Sequence, residues 1–121
     1  MAEHSILIVE DDAEIQKMLC RFLQDQGYRV RSASNGAEAL DLLETEVPDL
    51  LISDLLLPGE HGLDLVRAVK QRWFIPTIVL SGIYARRDID PVMQAEFVEA
   101  FFEKPVDLKK LLEKIVQLLN G

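Results

Sequence analysis

Asp54 is an acid within an apolar segment, LLISDLLL, that has no lysine or arginine nearby in the sequence. Removing a carboxylate from water without a partner is costly, or it raises the pKa until the group is neutral. A residue distant in sequence must therefore compensate this charge. Candidates come from the ends of three other apolar segments, which finish on Glu10-Asp11, on Ser81 and on Lys104.

These residue types together are suited to phosphoryl transfer. Three carboxylates that meet in one crevice would repel one another unless a cation joined them, and Mg²⁺ is a hard divalent cation that prefers oxygen ligands. The ammonium group of Lys104 and the hydroxyl of Ser81 would share the charge on the equatorial oxygens of a transferring phosphoryl group. One carboxylate would then be the nucleophile, and its product would be an acyl phosphate.

The elements that would position these residues alternate along the chain. Short apolar segments rich in β-branched residues predict strands, and apolar residues at helical spacing predict helices between them. The five predicted strands are SILIVEDD, YRVRSAS, DLLISD, PTIVLSG and FVEAFFEKP. Alternation with five helices predicts a parallel sheet with helices on both faces. The polar strand ends would then meet beyond the carboxyl edge, where such sheets bind ligands.

Several local features carry finer predictions. Asp12 is placed to cap the first helix and Gly27 to end it, and a metal-ligand role for Asp12 is the less favoured alternative. The alternation in YRVRSAS predicts an edge strand with Arg29 and Arg31 on a solvated face. A short fourth helix is predicted at Asp90-Pro91. The final helix is predicted to bury Leu108, Leu111, Leu112, Ile115 and Leu119.

The bulk composition excludes several function classes. The chain has 121 residues, is 49% hydrophobic and carries a net charge of −8, which predicts one domain whose surface repels nucleic acid phosphates and anionic membranes. Cys20 is the only cysteine, so neither an internal disulfide nor a thiolate metal cluster can form. No signal peptide or membrane span is recognisable in the sequence, and we expect a cytoplasmic protein.

Four segments of the chain resemble the successive motifs of the response-regulator receiver domain of two-component signalling. They are ILIVEDD, LLISDLLLPGEHGLDL, TIVLSG and FFEKPVDLKKLL, in the family's order. The resemblance is specific because each motif falls where the strand pattern independently places a strand end. It implies a flavodoxin-like α/β fold, a three-layer sandwich with strand order 2-1-3-4-5. It also implies a single receiver domain over residues 1–121, either complete in itself or the N-terminal part of a longer regulator.

The resemblance assigns roles to the acidic strand ends. Asp54 corresponds to the phosphoacceptor, Asp11 to a direct Mg²⁺ ligand, and Glu10 to the neighbouring acid that acts through water. The backbone carbonyl of Leu56 corresponds to the third protein ligand, beside Asp11 and Asp54. Mg²⁺ is thus the implied cofactor.

The remaining motif positions correspond to the family's switch. Ser81 matches the hydroxyl position, Lys104 the family's lysine with its cis-proline partner Pro105, and Phe101 the aromatic switch on the fifth strand. An aromatic residue on a strand is more often simply part of the core. Packing therefore remains the alternative role for Phe101.

The implied function is a signalling switch. A histidine kinase or phosphotransfer protein would donate a phosphoryl group to Asp54 in a Mg²⁺-dependent reaction. The surface of the predicted fourth helix, fifth strand and fifth helix would then change towards an effector domain, another partner or a second copy. The domain would catalyse its own phosphorylation and dephosphorylation without being a turnover enzyme. No direct contact with nucleic acid or membrane is expected.

Other functions remain open on this fold. An interaction scaffold would not use phosphate, and Asp54 would then be a structural acid paired with Lys104. A flavin carrier is disfavoured because the acids after the first strand would repel the flavin phosphate. A haloacid-dehalogenase-type phosphatase is disfavoured because Leu56 stands where that chemistry needs a second aspartate.

Two apolar residues predict a long-lived phosphoryl group. Leu56 and Ile83 match the positions that flank the path of the hydrolytic water in the family. Neither side chain can orient that water by a hydrogen bond. We therefore expect slow self-dephosphorylation.

Overall fold

Five parallel strands form one sheet in the computed structural model, which describes residues 3–57, 60–82 and 98–120. The strands are β1 (Ser5–Val9), β2 (Arg29–Ala33), β3 (Leu50–Asp54), β4 (Thr77–Ser81) and β5 (Ala100–Glu103). Their spatial order is 2-1-3-4-5, so the predicted flavodoxin-like topology is confirmed.

Four helices alternate with or follow the strands in the described residues, where the apolar periodicity predicted helices. They are α1 (Ala13–Asp25), α2 (Gly36–Thr45), α3 (Gly62–Arg72) and α4 (Leu108–Asn120). Helix α4 is the one predicted as the fifth. The short helix predicted at Asp90-Pro91 lies outside the described residues. In the described part of the chain, no helix is both long and apolar enough to cross a bilayer.

Both faces of the sheet are buried, which explains the uninterrupted apolar strands. Alternate residues of a strand point to opposite faces. Ile6 and Ile8 of β1 pack in a cluster with residues of α1 and α4, whereas Leu7 and Val9 pack in a second cluster with residues of α2 and α3. A strand covered on both faces has no solvated face to keep polar, so its sequence does not alternate.

The ends of α1 follow the sequence signals. The Asp12 carboxylate accepts hydrogen bonds from the backbone N–H groups of Glu14 at 2.9 Å and Ile15 at 3.1 Å, so it is the N-cap. Beyond the C-terminal end, Gly27 has a φ of 97°, a conformation that favours glycine. The cap predicted for Asp12 is confirmed.

The second strand is at the sheet edge as predicted, but one of its arginines is only partly solvated. Arg29 is exposed, whereas Arg31 is half-buried. The Arg31 guanidinium donates to the backbone carbonyls of Leu42 at 3.0 Å and Glu46 at 2.6 Å. The Leu42 carbonyl also accepts the Glu46 N–H at 3.1 Å and the Thr45 hydroxyl at 2.8 Å, so Arg31 adds a charged donor there and supplies one to Glu46, the C-cap of α2.

The stripe predicted for the final helix is largely correct, except that Leu112 is only half-buried. Leu111 and Ile115 are fully buried, and Leu108 and Leu119 pack against the same cluster. Leu118 also joins that cluster, which the sequence did not predict. Together these residues fasten α4 to the sheet next to α1.

Candidate functional site

The predicted polar strand ends meet at the carboxyl edge of the sheet. Glu10 directly follows β1, Asp54 and Ser81 are the last residues of β3 and β4, and Lys104 directly follows β5. The backbone extends the pairing at this edge, because the Lys104 N–H donates to the Ser81 carbonyl at 2.7 Å. Four residues far apart in sequence are thereby held side by side.

Three carboxylates form a cluster at this edge. Glu10, Asp11 and Asp54 each place one carboxylate oxygen within 4.8 Å of the others. Glu10 is completely buried and Asp54 is 6% exposed, whereas Asp11 is exposed. The cluster is therefore an oxygen-only donor set that is reachable from solvent on the Asp11 side. Such a set fits a hard divalent cation rather than a softer metal.

Lys104 supplies the positive charge that Asp54 lacks in its own segment. Its Nζ lies 2.9 Å from Asp54 Oδ2 and 2.7 Å from Glu10 Oε1. The lysine side chain is 20% exposed, so the interaction is only partly screened by solvent. A residue that compensates Asp54 is thus fifty positions away in the sequence.

The pKa values of two residues of the site, Glu10 and Lys104, are both raised, for different reasons. Burial raises the pKa of Glu10, and the nearby Asp54 charge adds to it, although Lys104 and the Asp12 N–H partly offset the effect. Burial alone would lower the pKa of Lys104, but its close contacts with the Glu10 and Asp54 carboxylates outweigh burial and raise it. Lys104 is therefore held as a cation between two acids.

Ser81 and Pro105 border the cluster. Ser81 is fully buried, and its hydroxyl donates to the backbone carbonyl of Gly82 at 2.8 Å. The Lys104-Pro105 peptide bond is cis, the form that the family resemblance implied.

Phe101 lies on the face of β5 that packs towards α3. It is half-buried and contacts the cluster formed by Leu55, Val66 and Val79. Leu55 directly follows Asp54, so Phe101 packs against the segment that carries the candidate phosphoacceptor. The next aromatic, Phe102, packs on the opposite face with the cluster of α1 and α4.

Two short segments of backbone after Asp54 pair with each other. Leu56–Leu57 pairs antiparallel with Glu60–His61, in the register Leu56 opposite His61. Leu56 is thus two residues beyond Asp54, in the segment that leaves the sheet edge. Ile83, the second residue of the lifetime prediction, lies outside the described residues.

One residue that sequence reasoning missed contacts the backbone of the site. The side-chain amide of Gln16 on α1 donates to the carbonyl of Glu10 at 2.9 Å and to that of Ala33 at 3.1 Å. A polar residue one turn into an amphipathic helix ordinarily indicates a solvated face. The only sequence signal was its closeness to Glu10-Asp11.

The family model of the response regulator receiver domain matches residues 6–116, which include the whole acidic cluster and Lys104. The chain belongs to the response-regulator receiver family. The receiver domain is a two-component signalling module and not a classical enzyme, as the sequence predicted.

The receiver matches about half of some curated relatives and nearly all of another. The transcriptional regulatory protein YbdJ of Bacillus subtilis, named as uncharacterized, is 38% identical over 99% of the receiver and 52% of its own length. CpxR, a transcriptional regulatory protein of Escherichia coli, is 32% identical over 97% of the receiver and 50% of its own length. An uncharacterized 14.6 kDa protein of Leptolyngbya boryana is 34% identical, with 91% of its length matched. The receiver thus spans about half of YbdJ and CpxR.

Solved structures share the fold over nearly the whole receiver. The receiver domain of a signal transduction histidine kinase from Syntrophus aciditrophicus superposes with a TM-score of 0.87 at 33% identity, covering 98% of this chain and 91% of the other. The receiver domain of an HD domain-containing protein from Pseudomonas fluorescens Pf-5 superposes with a TM-score of 0.90 at 26% identity, covering 99% and 89%. Receivers of this fold therefore occur in proteins of different architecture.

Proposed function

We propose that Asp54 accepts a phosphoryl group from a histidine kinase or phosphotransfer protein in a Mg²⁺-dependent reaction. One observation carries the proposal: Asp54 stands within 4.8 Å of two further carboxylates and 2.9 Å from the ammonium group of Lys104. Two repelling acids and one cation around a carboxylate are the arrangement that a metal and a phosphoryl group would complete. The proposal takes residues 1–121 as one receiver domain.

The chemical step is a transfer from nitrogen to oxygen. A carboxylate oxygen of Asp54 attacks phosphorus, the bond between phosphorus and the donor histidine nitrogen breaks, and that nitrogen keeps the electron pair. Lys104 lies against Asp54, so its ammonium group is placed to neutralise charge on the transferred group. Ser81, at the end of the neighbouring strand, would turn its hydroxyl from the Gly82 carbonyl to the phosphoryl oxygens.

The metal would be held by the acidic cluster. Asp11 and Asp54 would bind Mg²⁺ directly, the Leu56 carbonyl would complete the protein ligands, and Glu10 would act through water. Bound Mg²⁺ would offset the charge of the carboxylates and of the incoming phosphoryl oxygens. Glu10 is fully buried with its Oε2 atom accepting the Asp12 N–H at 3.0 Å, which suits an outer role better than direct coordination.

Phosphorylation would reach partners through β5. Movement of Ser81 towards the phosphoryl group would open space for Phe101, which packs beside Leu55 and Val79. Inward rotation of Phe101 would change the surface made by the predicted fourth helix, β5 and α4, towards an effector domain, another partner or a second copy. The domain would also catalyse removal of its own phosphoryl group, slowly because Leu56 and Ile83 are apolar.

The decisive experiment follows the mass of the protein with acetyl phosphate and Mg²⁺. We expect a gain of one phosphoryl group in the unmodified protein and none in Asp54→Asn, whose folding should be unchanged because asparagine has nearly the same shape. Asp41→Asn, an exposed acid on α2, is the matched control and should label normally. If Asp54→Asn gained as many phosphoryl groups per molecule as the unmodified protein, another residue would be the acceptor.

The same experiment separates the switch from a phosphorylation-independent scaffold. A scaffold would take up no phosphoryl group from acetyl phosphate and would not respond to beryllofluoride with Mg²⁺. In that case the contact between Lys104 and Asp54 would be purely structural.

A further inference from the structure

We propose that Gln16 is a positioning residue that sets the affinity of the acidic cluster for Mg²⁺ by holding the backbone on both sides of Asp11. The inference rests on the proposed function, because it concerns the same metal site. It adds a residue of α1 whose side-chain amide bonds the backbone where β1 and β2 end. Its two shorter hydrogen bonds go to backbone carbonyls, and a longer one, at 3.5 Å, goes to the Ser34 hydroxyl.

The chain leaves the sheet at Glu10, so the Glu10 carbonyl needs a hydrogen-bond donor from outside the sheet. The Glu10 N–H still pairs with the carbonyl of Ala33 at 3.0 Å, which extends the pairing of β1 with β2 by one residue. The Glu10 carbonyl lies beyond that ladder and accepts the Gln16 amide instead. A second bond from the same amide nitrogen to Ala33 ties the end of β2 to the same point.

Gln16 also closes a ring of hydrogen bonds around Asp11. Its backbone N–H donates to the carbonyl of Asp12 at 2.9 Å, and the Asp12 N–H donates to the Glu10 carboxylate at 3.0 Å. Residues 10 and 12 are thus held on either side of Asp11, although Asp11 itself is exposed. An exposed metal ligand on a loosely held loop would lose conformational entropy on binding, and this ring reduces that loss.

The test compares the same substitution at two positions of α1. Gln16→Met keeps the length and helix propensity of the side chain and removes the amide donor. Gln24→Met makes the same change at an exposed position of the helix. For both variants and the unmodified protein we would measure the Mg²⁺ dissociation constant by titration of backbone amide NMR signals, and the free energy of unfolding in urea with EDTA.

We expect Gln16→Met to raise the dissociation constant on the order of tenfold, the lower end of the effect of residues that orient metal ligands from outside. Its unfolding midpoint in EDTA should lie somewhat below that of Gln24→Met, because two carbonyls lose a donor, and Gln24→Met should bind Mg²⁺ normally. Unchanged Mg²⁺ affinity in Gln16→Met would overturn the inference while leaving the metal site of the proposed function intact. Absence of saturable Mg²⁺ binding in the unmodified protein would overturn both.

A measurement on the unmodified protein covers the case in which Gln16→Met does not fold. The side-chain amide protons of Gln16 should exchange with solvent several-fold more slowly than those of exposed Gln24, because they are bonded to two carbonyls. Equal exchange rates for the two side chains would overturn the inference.

Discussion

Lys104 balances the negative charge of two acids in the site, Glu10 and Asp54. Its Nζ contacts carboxylates of a fully buried and a nearly buried acid, so its removal leaves two negative charges with one fewer cation. We expect Lys104→Met to lower the free energy of unfolding in EDTA at pH 7 by about 2–3 kcal/mol, below the usual cost of breaking a fully buried pair because Lys104 retains some solvent contact. Urea unfolding followed by circular dichroism measures this change.

Two further variants test the cause of that loss. Lys109→Met, an exposed lysine at the start of α4, should be nearly neutral. The double variant Glu10→Gln with Lys104→Met should recover part of the stability, because the uncompensated charge of Glu10 is gone. A double variant as unstable as Lys104→Met would mean that lost packing of the lysine stem, not charge, causes the effect.

At the scale of elements, β2 holds the end of α2 through one arginine. Arg31 donates to the carbonyl of Leu42 in the last turn of α2 and to that of Glu46, just past its end. We expect Arg31→Met to lower the free energy of unfolding by about 1–2 kcal/mol, since bonds from a charged donor to these carbonyls are lost. Urea unfolding measures it.

Arg29→Met is the matched control on the same strand. Arg29 forms an ion pair with Glu46 in which both side chains are largely exposed, at 54% and 44%. Such pairs contribute about 0–1 kcal/mol, so this variant should be close to neutral. Equal destabilisation by the two substitutions would contradict the role given to Arg31.

For the whole molecule, the metal should act as a stabilising ligand. A ligand that binds only the folded state raises the free energy of unfolding by about 2.7 kcal/mol at a hundredfold excess over its dissociation constant. We expect the thermal or urea unfolding midpoint to rise with the logarithm of the Mg²⁺ concentration once it exceeds the dissociation constant. Part of the effect is screening of the net charge of −8, and NaCl at equal ionic strength measures that part.

Asp11→Asn isolates the site from the general charge effect. Asp11 is exposed, so the variant should keep its stability in EDTA, and it should lose most of the extra stabilisation by Mg²⁺. Equal Mg²⁺ stabilisation of the variant and the unmodified protein would place the metal elsewhere.

Much of the site followed from local patterns, but its contacts did not. Asp54, Ser81 and Lys104 could be found because each ends an apolar segment, and parallel strands bring such ends to one edge. Gln16 and Arg31 could not be found, because both resemble residues of a solvated face. Their carbonyl partners belong to other elements and become neighbours only when those elements pack.

The sequence by itself determined the alternation of strands and helices, the buried stripes and the polar residues at the strand ends, because hydrophobic periodicity is a local property of the chain. Only the tertiary structure decided which charges meet. Lys104 lies between Glu10 and Asp54 because β1, β3 and β5 share one sheet, with β4 between the last two. Distances of this kind depend on strand register and loop paths, which no single segment of the sequence specifies.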